Sequence, residues 1–180
     1  MKEVRAWIIL TLILYVIQSS LLPFLSYRGV SANLLLLLVT SFAFLKGARI
    51  GVFMGFSAGL LQYLATGTFF GIDMISYMLI AMICGKLSGS IFKDSFFLPI
   101  FSSTITATIH YCIWLLFILM LGYKVPIEEN IRYTLPVMVA MQFLFSYPVH
   151  KLAFNIDKKY LYNKYSGTSQ RRNSNNTDNN

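Results

Sequence analysis

Charged residues in this chain sit in short clusters, and between the clusters run six apolar stretches, at about 5–25, 32–45, 50–66, 72–90, 98–121 and 134–154. Most approach the ~20 residues a helix needs to cross a hydrocarbon core. Within lipid an unpaired backbone N–H or C=O is costly, so such stretches fold as helices that satisfy their own backbone. The pattern predicts an all-α integral membrane protein with six transmembrane helices. Only 12% of the 180 residues are charged, against ~25% in soluble domains, which excludes a soluble enzyme as the starting point.

The net charge of +8 could suggest nucleic acid, but in a membrane chain basic residues mark cytoplasmic loops instead. With the N-terminus inside, the external loops carry only Arg28, Lys124 and Arg132, and the other 12 of the 15 basic residues face the cytoplasm. An even number of spans then places both termini inside. Lys2 and Arg5 precede the first apolar run as in a signal peptide, but no small-x-small cleavage site follows at the right place, so it reads as an uncleaved helix. The second span is short: its 14 residues reach about 21 Å at 1.5 Å per residue. Pro148 lies late in the sixth span and is expected to kink it or end its regular part. Two parts follow, a six-helix transmembrane domain over 1–157 and a basic, polar, disordered cytoplasmic tail over 158–180. Lys158, Lys159 and Lys164 in that tail are expected to lie against anionic lipid of the inner leaflet.

Small residues form two patterns. Gly51, Gly55 and Gly59 recur every four residues in the third span, and Ala81, Gly85 and Gly89 do so in the fourth. Residues four apart share a helical face, and faces without side chains let two membrane helices approach closely. These six are the expected helix-packing residues.

Polar side chains inside lipid are functional candidates. Gln18, Gln62, His110 and Gln142 are the intramembrane set, with Gln18 and Gln62 read as interhelical glue and His110 as a hydrogen-bonding packing residue. Asp73 and Lys86 lie near opposite ends of the fourth span, where both can reach water or headgroups; Lys86 can snorkel. His150 reads as interfacial. Cys84 and Cys112 fall within apolar stretches and read as small buried hydrophobes without a disulfide or metal framework. The residues offer no catalytic triad, metal motif or phosphate-binding loop, and nothing in them calls for a cofactor.

An ordered series of residues also carries a family resemblance: Asn33-Leu34-Leu35-Leu36, Lys46-Gly47 with Gly51, Gly55-Phe56 with Gly59-Leu60-Leu61, Gly67 and Gly71, Tyr77, and Gly85-Lys86-Leu87. It resembles the bacterial rod shape-determining protein MreD family. The chain departs from that pattern at Gln62, where the family often has an acidic residue. The resemblance implies a non-enzymatic, multi-pass component of the cytoplasmic (inner) membrane in the cell-elongation (rod) machinery, coupling cytoplasmic filaments to peptidoglycan synthesis. Implied partners are an MreC-like periplasmic scaffold, MreB, RodA and a class B penicillin-binding transpeptidase. The family's fold also resembles the substrate-binding subunit of energy-coupling-factor transporters, which supplies an alternative: a vitamin-type binding subunit of an uptake system. The first helix argues against that alternative, since bulky residues run from Trp7 to Leu14 where such subunits dock through spaced alanines. For a partner-facing groove the short second span is the choice. Arg28 and Asn33 would anchor the partner at the outer edge, and Leu36 would face it from a lipid-exposed position.

Overall fold

The computed structural model describes residues 2–27, 30–67, 71–91, 97–124 and 126–177. Among these the chain is helical apart from short connections and one isolated bridge between Tyr27 and Val30. Helix α1 (Lys2–Ser20) leads through a single turn, α2 (Leu22–Leu25), to α3 (Leu34–Lys46), α4 (Ala48–Thr66), α5 (Ile72–Ile91) and α6 (Phe97–Met120). A short α7 (Ile127–Glu129) and a π-helical turn (Asn130–Thr134) precede α8 (Leu135–Thr177). The six long helices fall on the six apolar stretches. By length and composition two helical stretches are suited to crossing a membrane, 101–120 and 130–159. Shorter apolar helices occupy 5–20 and 34–46.

Helix α3 begins where the Asn33 carboxamide oxygen accepts the Leu36 N–H at 3.0 Å, an N-cap that satisfies one orphan donor of the first turn. It ends at Gly47, whose φ of +84° is open to glycine at little cost. The Gly47 N–H bonds the Ala43 carbonyl and its own carbonyl accepts from Gly51, so one residue both closes α3 and opens α4. That reversal lays α4 directly back along α3.

The architecture is a bundle around α3, which is contacted by α1, α4, α5, α6 and α8. Every residue from Leu34 to Phe44 is buried. Around them pack Trp7, Leu10 and Leu14 of α1, Met54 and Ala58 of α4, Tyr77, Ile80, Ala81 and Cys84 of α5, Ala107 of α6, and Val149 and Ala153 of α8. Trp7 meets Phe42 edge-on with ring centroids 4.4 Å apart, tying α1 to the lower half of α3.

This placement corrects the expected partner groove. Leu36 is 0% exposed and lies at the centre of the bundle, not on a lipid-facing surface. A helix that is apolar on every side can be buried on every side, and shortness suits a helix walled in by longer ones. One smaller expectation also changes: Cys112 is exposed, although Cys84 is buried as expected. Helix α8 continues past Pro148 and runs to Thr177.

Candidate functional site

The polar residues of the bundle converge on the N-terminal end of α3. Gln18 of α1 donates to the Gln62 carboxamide oxygen of α4 at 2.6 Å, and its own Oε1 accepts the Leu35 N–H at 3.0 Å. On the opposite side Gln142 of α8 clasps Asn33 through the backbone. Its Oε1 accepts the Asn33 N–H at 2.9 Å, and its Nε2 donates to the Asn33 carbonyl at 3.2 Å. The Asn33 side chain meanwhile caps α3 and donates from Nδ2 to the Tyr77 hydroxyl of α5. Gln18 of α1, Gln142 of α8 and the Asn33 cap thereby satisfy amides at the start of α3 that the helix itself leaves unpaired. Asn33 is therefore a structural pin of the fold; Arg28 lies outside the described residues.

Asp73 and His110 complete this layer. Asp73, in the first turn of α5, is buried, not in open contact with water as its terminal position suggested. Its Oδ1 stands 3.6 Å from His110 Nε2 of α6, too far for a hydrogen bond; the two form an ion pair only when the ring is protonated. The His110 ring also meets Tyr77 edge-on, with centroids 5.3 Å apart. His110 Nδ1 is buried without a hydrogen-bond partner. Among the described residues no three His, Cys, Asp or Glu side chains gather as a metal site would require.

These groups border an open cavity of about 300 Å³ at the same end of the bundle, lined by α1, α4, α5, α6, α8 and the segment leading into α3. Gln62 and Asp73 line one side, and His110, Tyr111 and Trp114 of α6 another. Tyr111 and Trp114 lie one turn apart with stacked rings, centroids 6.2 Å apart. The π-helical turn contributes Asn130 and Thr134. The Tyr111 hydroxyl donates to Asn130 Oδ1 at 3.4 Å and holds the widened turn against α6, and Thr134 Oγ1 donates to the same oxygen at 3.2 Å from within the turn. A π-turn inside a membrane helix carries a local cost in hydrogen-bond geometry and is often found at functional sites.

The glycine faces meet along an antiparallel α4–α5 contact whose register the structure sets. A Cβ added to Gly55 would lie 2.8 Å from the Tyr77 carbonyl oxygen, and one on Gly59 would lie 2.5 Å from Met74 Cα. One on Gly51 would meet Ala43 Cβ of α3 at 2.8 Å and the Ala81 carbonyl at 3.5 Å. Gly85 faces the Ala48 backbone at the start of α4 so closely that any side chain would overlap it. Gly89 falls within α5, but its surroundings lie outside the described residues. Gly51 thus packs against two helices, a role that spacing along one helix does not reveal.

Further groups joined across helices lack any spacing signal, because their partners lie far apart in sequence. Lys46 at the end of α3 pairs with Asp157 of α8 at 2.6 Å. Ser103 of α6 and Ser146 of α8 share a hydrogen bond of 2.6 Å. His150, expected at the interface, is buried and bonds Ser41 of α3 through Nδ1 at 3.2 Å. Lys46–Asp157 and Ser41–His150 fasten α3 to α8 at one end, as Asn33 and Gln142 do at the other, and Ser103–Ser146 ties α6 to α8.

No curated protein and no solved structure matches the chain. Residues 1–155, which take in all of α1 to α6 and the apolar half of α8, match the family described as rod shape-determining protein MreD. With that match over most of its length, on an all-helical fold with apolar helices able to cross a membrane, this chain belongs to the MreD family.

Proposed function

We propose that this protein is a multi-pass component of the bacterial cytoplasmic membrane that helps couple MreB filaments and MreC to peptidoglycan synthesis during cell elongation. The observation that carries the reading is the family match over residues 1–155, and membership places the chain among membrane proteins of rod shape determination. All six long helices cross the bilayer in this reading, with both termini in the cytoplasm, as the excess of basic residues at one end favours. RodA and a class B penicillin-binding transpeptidase are the proposed enzymatic partners, and the protein itself is a non-enzymatic scaffold. The close α4–α5 contact through Gly51, Gly55, Gly59 and Gly85 gives it a stiff element on which partners can be held in a fixed geometry. Nothing in the comparisons favours the uptake-subunit alternative.

Residues 158–180 are proposed to lie outside the bundle, with Lys158, Lys159 and Lys164 against anionic headgroups. Depletion in a rod-shaped host should round the cells. The tagged protein should co-purify from native membranes with an MreC-like, single-span partner, and a chain truncated after residue 157 should still capture it. Normal cell shape on depletion together with no such partner by mass spectrometry would overturn the reading.

A further inference from the structure

The outer side of the α4–α5 pair carries two exposed stripes that mirror each other. One is Arg49, Phe53, Phe56 and Leu60 of α4, and the other is Lys86, Met82, Leu79 and Ile75 of α5. Steps of four, three and four residues keep each set on one helical face. The helices run antiparallel, and Gly85 meets the Ala48 backbone. Arg49 and Lys86, each the next residue along, therefore head the two stripes at the same end. Helix α3 packs behind the pair, with Met54 and Ala58 of α4 and Tyr77, Ile80 and Cys84 of α5 in the core around it, so both stripes face away from the bundle. Between them Gly55 and Gly59 bring the backbones together without side chains to fill the seam. The result is a shallow apolar groove with a cation on each lip at one end.

The charges at that end are unbalanced. Arg49 and Lys86 are exposed, and neither pairs with an acidic side chain among the described residues. Asp157, the described acidic side chain that meets this end, is buried and taken up by Lys46. An anion between the two cations would offset their mutual repulsion. A guanidinium fork suits phosphate oxygens, and Lys86 can lay its aliphatic stem along its own stripe and reach the same plane. From Arg49 to Leu60 the groove runs about 16 Å at 1.5 Å per residue, half of a ~30 Å hydrocarbon core and so the depth of one leaflet. A phosphate at the cations with an acyl chain below it is the layout of a phospholipid.

We propose that the α4–α5 groove is a binding site for an anionic phospholipid, its phosphate held between Arg49 and Lys86 and one acyl chain lying along the seam. It rests on the reading that the long helices lie in the bilayer. It is separate from the contact of the 158–180 segment with headgroups, and the bound lipid would clamp α4 against α5 at their basic end.

Phe53 is 74% exposed and lies one turn along the groove from Arg49, which suits it to a reporter. Full-length protein with Phe53→Trp, Trp7→Phe and Trp114→Phe has a single indole, placed on the stripe. It would be reconstituted in phosphatidylcholine vesicles, with acyl-brominated phosphatidylglycerol or acyl-brominated phosphatidylcholine as the quencher. The phosphatidylglycerol should quench at a mole fraction at least about tenfold lower than the phosphatidylcholine. Arg49→Gln and Lys86→Gln should each cut that preference about fivefold, the effect of one basic residue at an anionic surface. Lys158→Gln with Lys159→Gln should leave it unchanged. Should the reporter protein fail to fold, phosphatidylglycerol retained through detergent exchange is counted by native mass spectrometry, and the Arg49→Gln/Lys86→Gln protein should lose a lipid that the unaltered protein keeps. Equal quenching by the two lipids, equal retention by the two proteins, or the same loss on changing Lys158 and Lys159 would overturn the site. So would an indole that neither lipid quenches, because another chain would then cover the groove. Protein stripped from membranes by an alkaline wash would overturn the bilayer reading itself, whereas protein that stays inserted and shows no lipid preference overturns the site alone.

Discussion

Helices α3 and α6 are both strongly apolar, yet they occupy opposite environments. Every side chain from Leu34 to Phe44 of α3 is enclosed, whereas α6 leaves Phe101, Ile105, Leu116 and Met120 exposed, Met120 by 80%. In water, apolar character alone would drive both inward. In lipid the tails are as apolar as the side chains, so hydrophobicity selects the membrane but not a place within the bundle. What separates the two helices is their polar ends and their neighbours. Helix α3 is pinned by Asn33, Gln18 and Gln142 at one end and by Lys46, Ser41 and Asp157 at the other. Helix α6 turns its small and polar residues Ser103, Thr106 and Ala107 inward.

The sharpest way to break this contrast is to remove a wall from α3. Gly85→Leu forces a side chain into the Ala48 backbone, and Gly59→Leu does so against Met74. Backbone cannot yield as a flexible side chain can, so both variants should lose monodisperse protein after detergent extraction. Full recovery of folded Gly85→Leu would mean that α4 and α5 do not need this approach.

A truncation compares the two helices directly. Leu36→Ala opens a cavity at a fully buried position, a change that typically costs about 2–5 kcal/mol. Leu116→Ala, at a position 61% exposed, removes atoms that face lipid and should cost less than about 1 kcal/mol. Equilibrium unfolding in mixed micelles measures both, and equal losses would erase the distinction between centre and rim.

The smallest expected effect isolates a polar pin. Gln142→Leu removes both bonds to the Asn33 backbone. Interhelical hydrogen bonds in membranes contribute about 0.6–2 kcal/mol, so stability should fall by that order. Asn33→Ala should be less than additive with it, because both act on the start of α3. Full additivity in a double-mutant cycle would separate the two into independent sites.

Much of this was legible in the residues. Six apolar stretches correspond to six long helices, two of which contain stretches long and apolar enough to cross a membrane. Four-residue glycine spacing marked the helices that approach closely, since that spacing fixes a face. Gln18 and Gln62 were marked as interhelical glue and do bond each other. The candidate cavity was not legible. Asp73 is followed by His110 only after 37 positions, and no periodicity on one helix can report a contact between two. The same holds for Lys46 with Asp157.

The sequence by itself determined helical class, a membrane setting and the small-residue faces, all of which follow from local composition and helical period. Only the tertiary structure decided which apolar helix lies at the centre. It alone made Leu36 an interior residue, turned Asn33 from an edge group into a cap and clasp, and set Asp73 beside His110 at the edge of a cavity. Those outcomes depend on which surfaces face each other across the bundle. In lipid that choice is set by shape, close approach and a few polar bonds between distant residues, and none of these has a period along the chain.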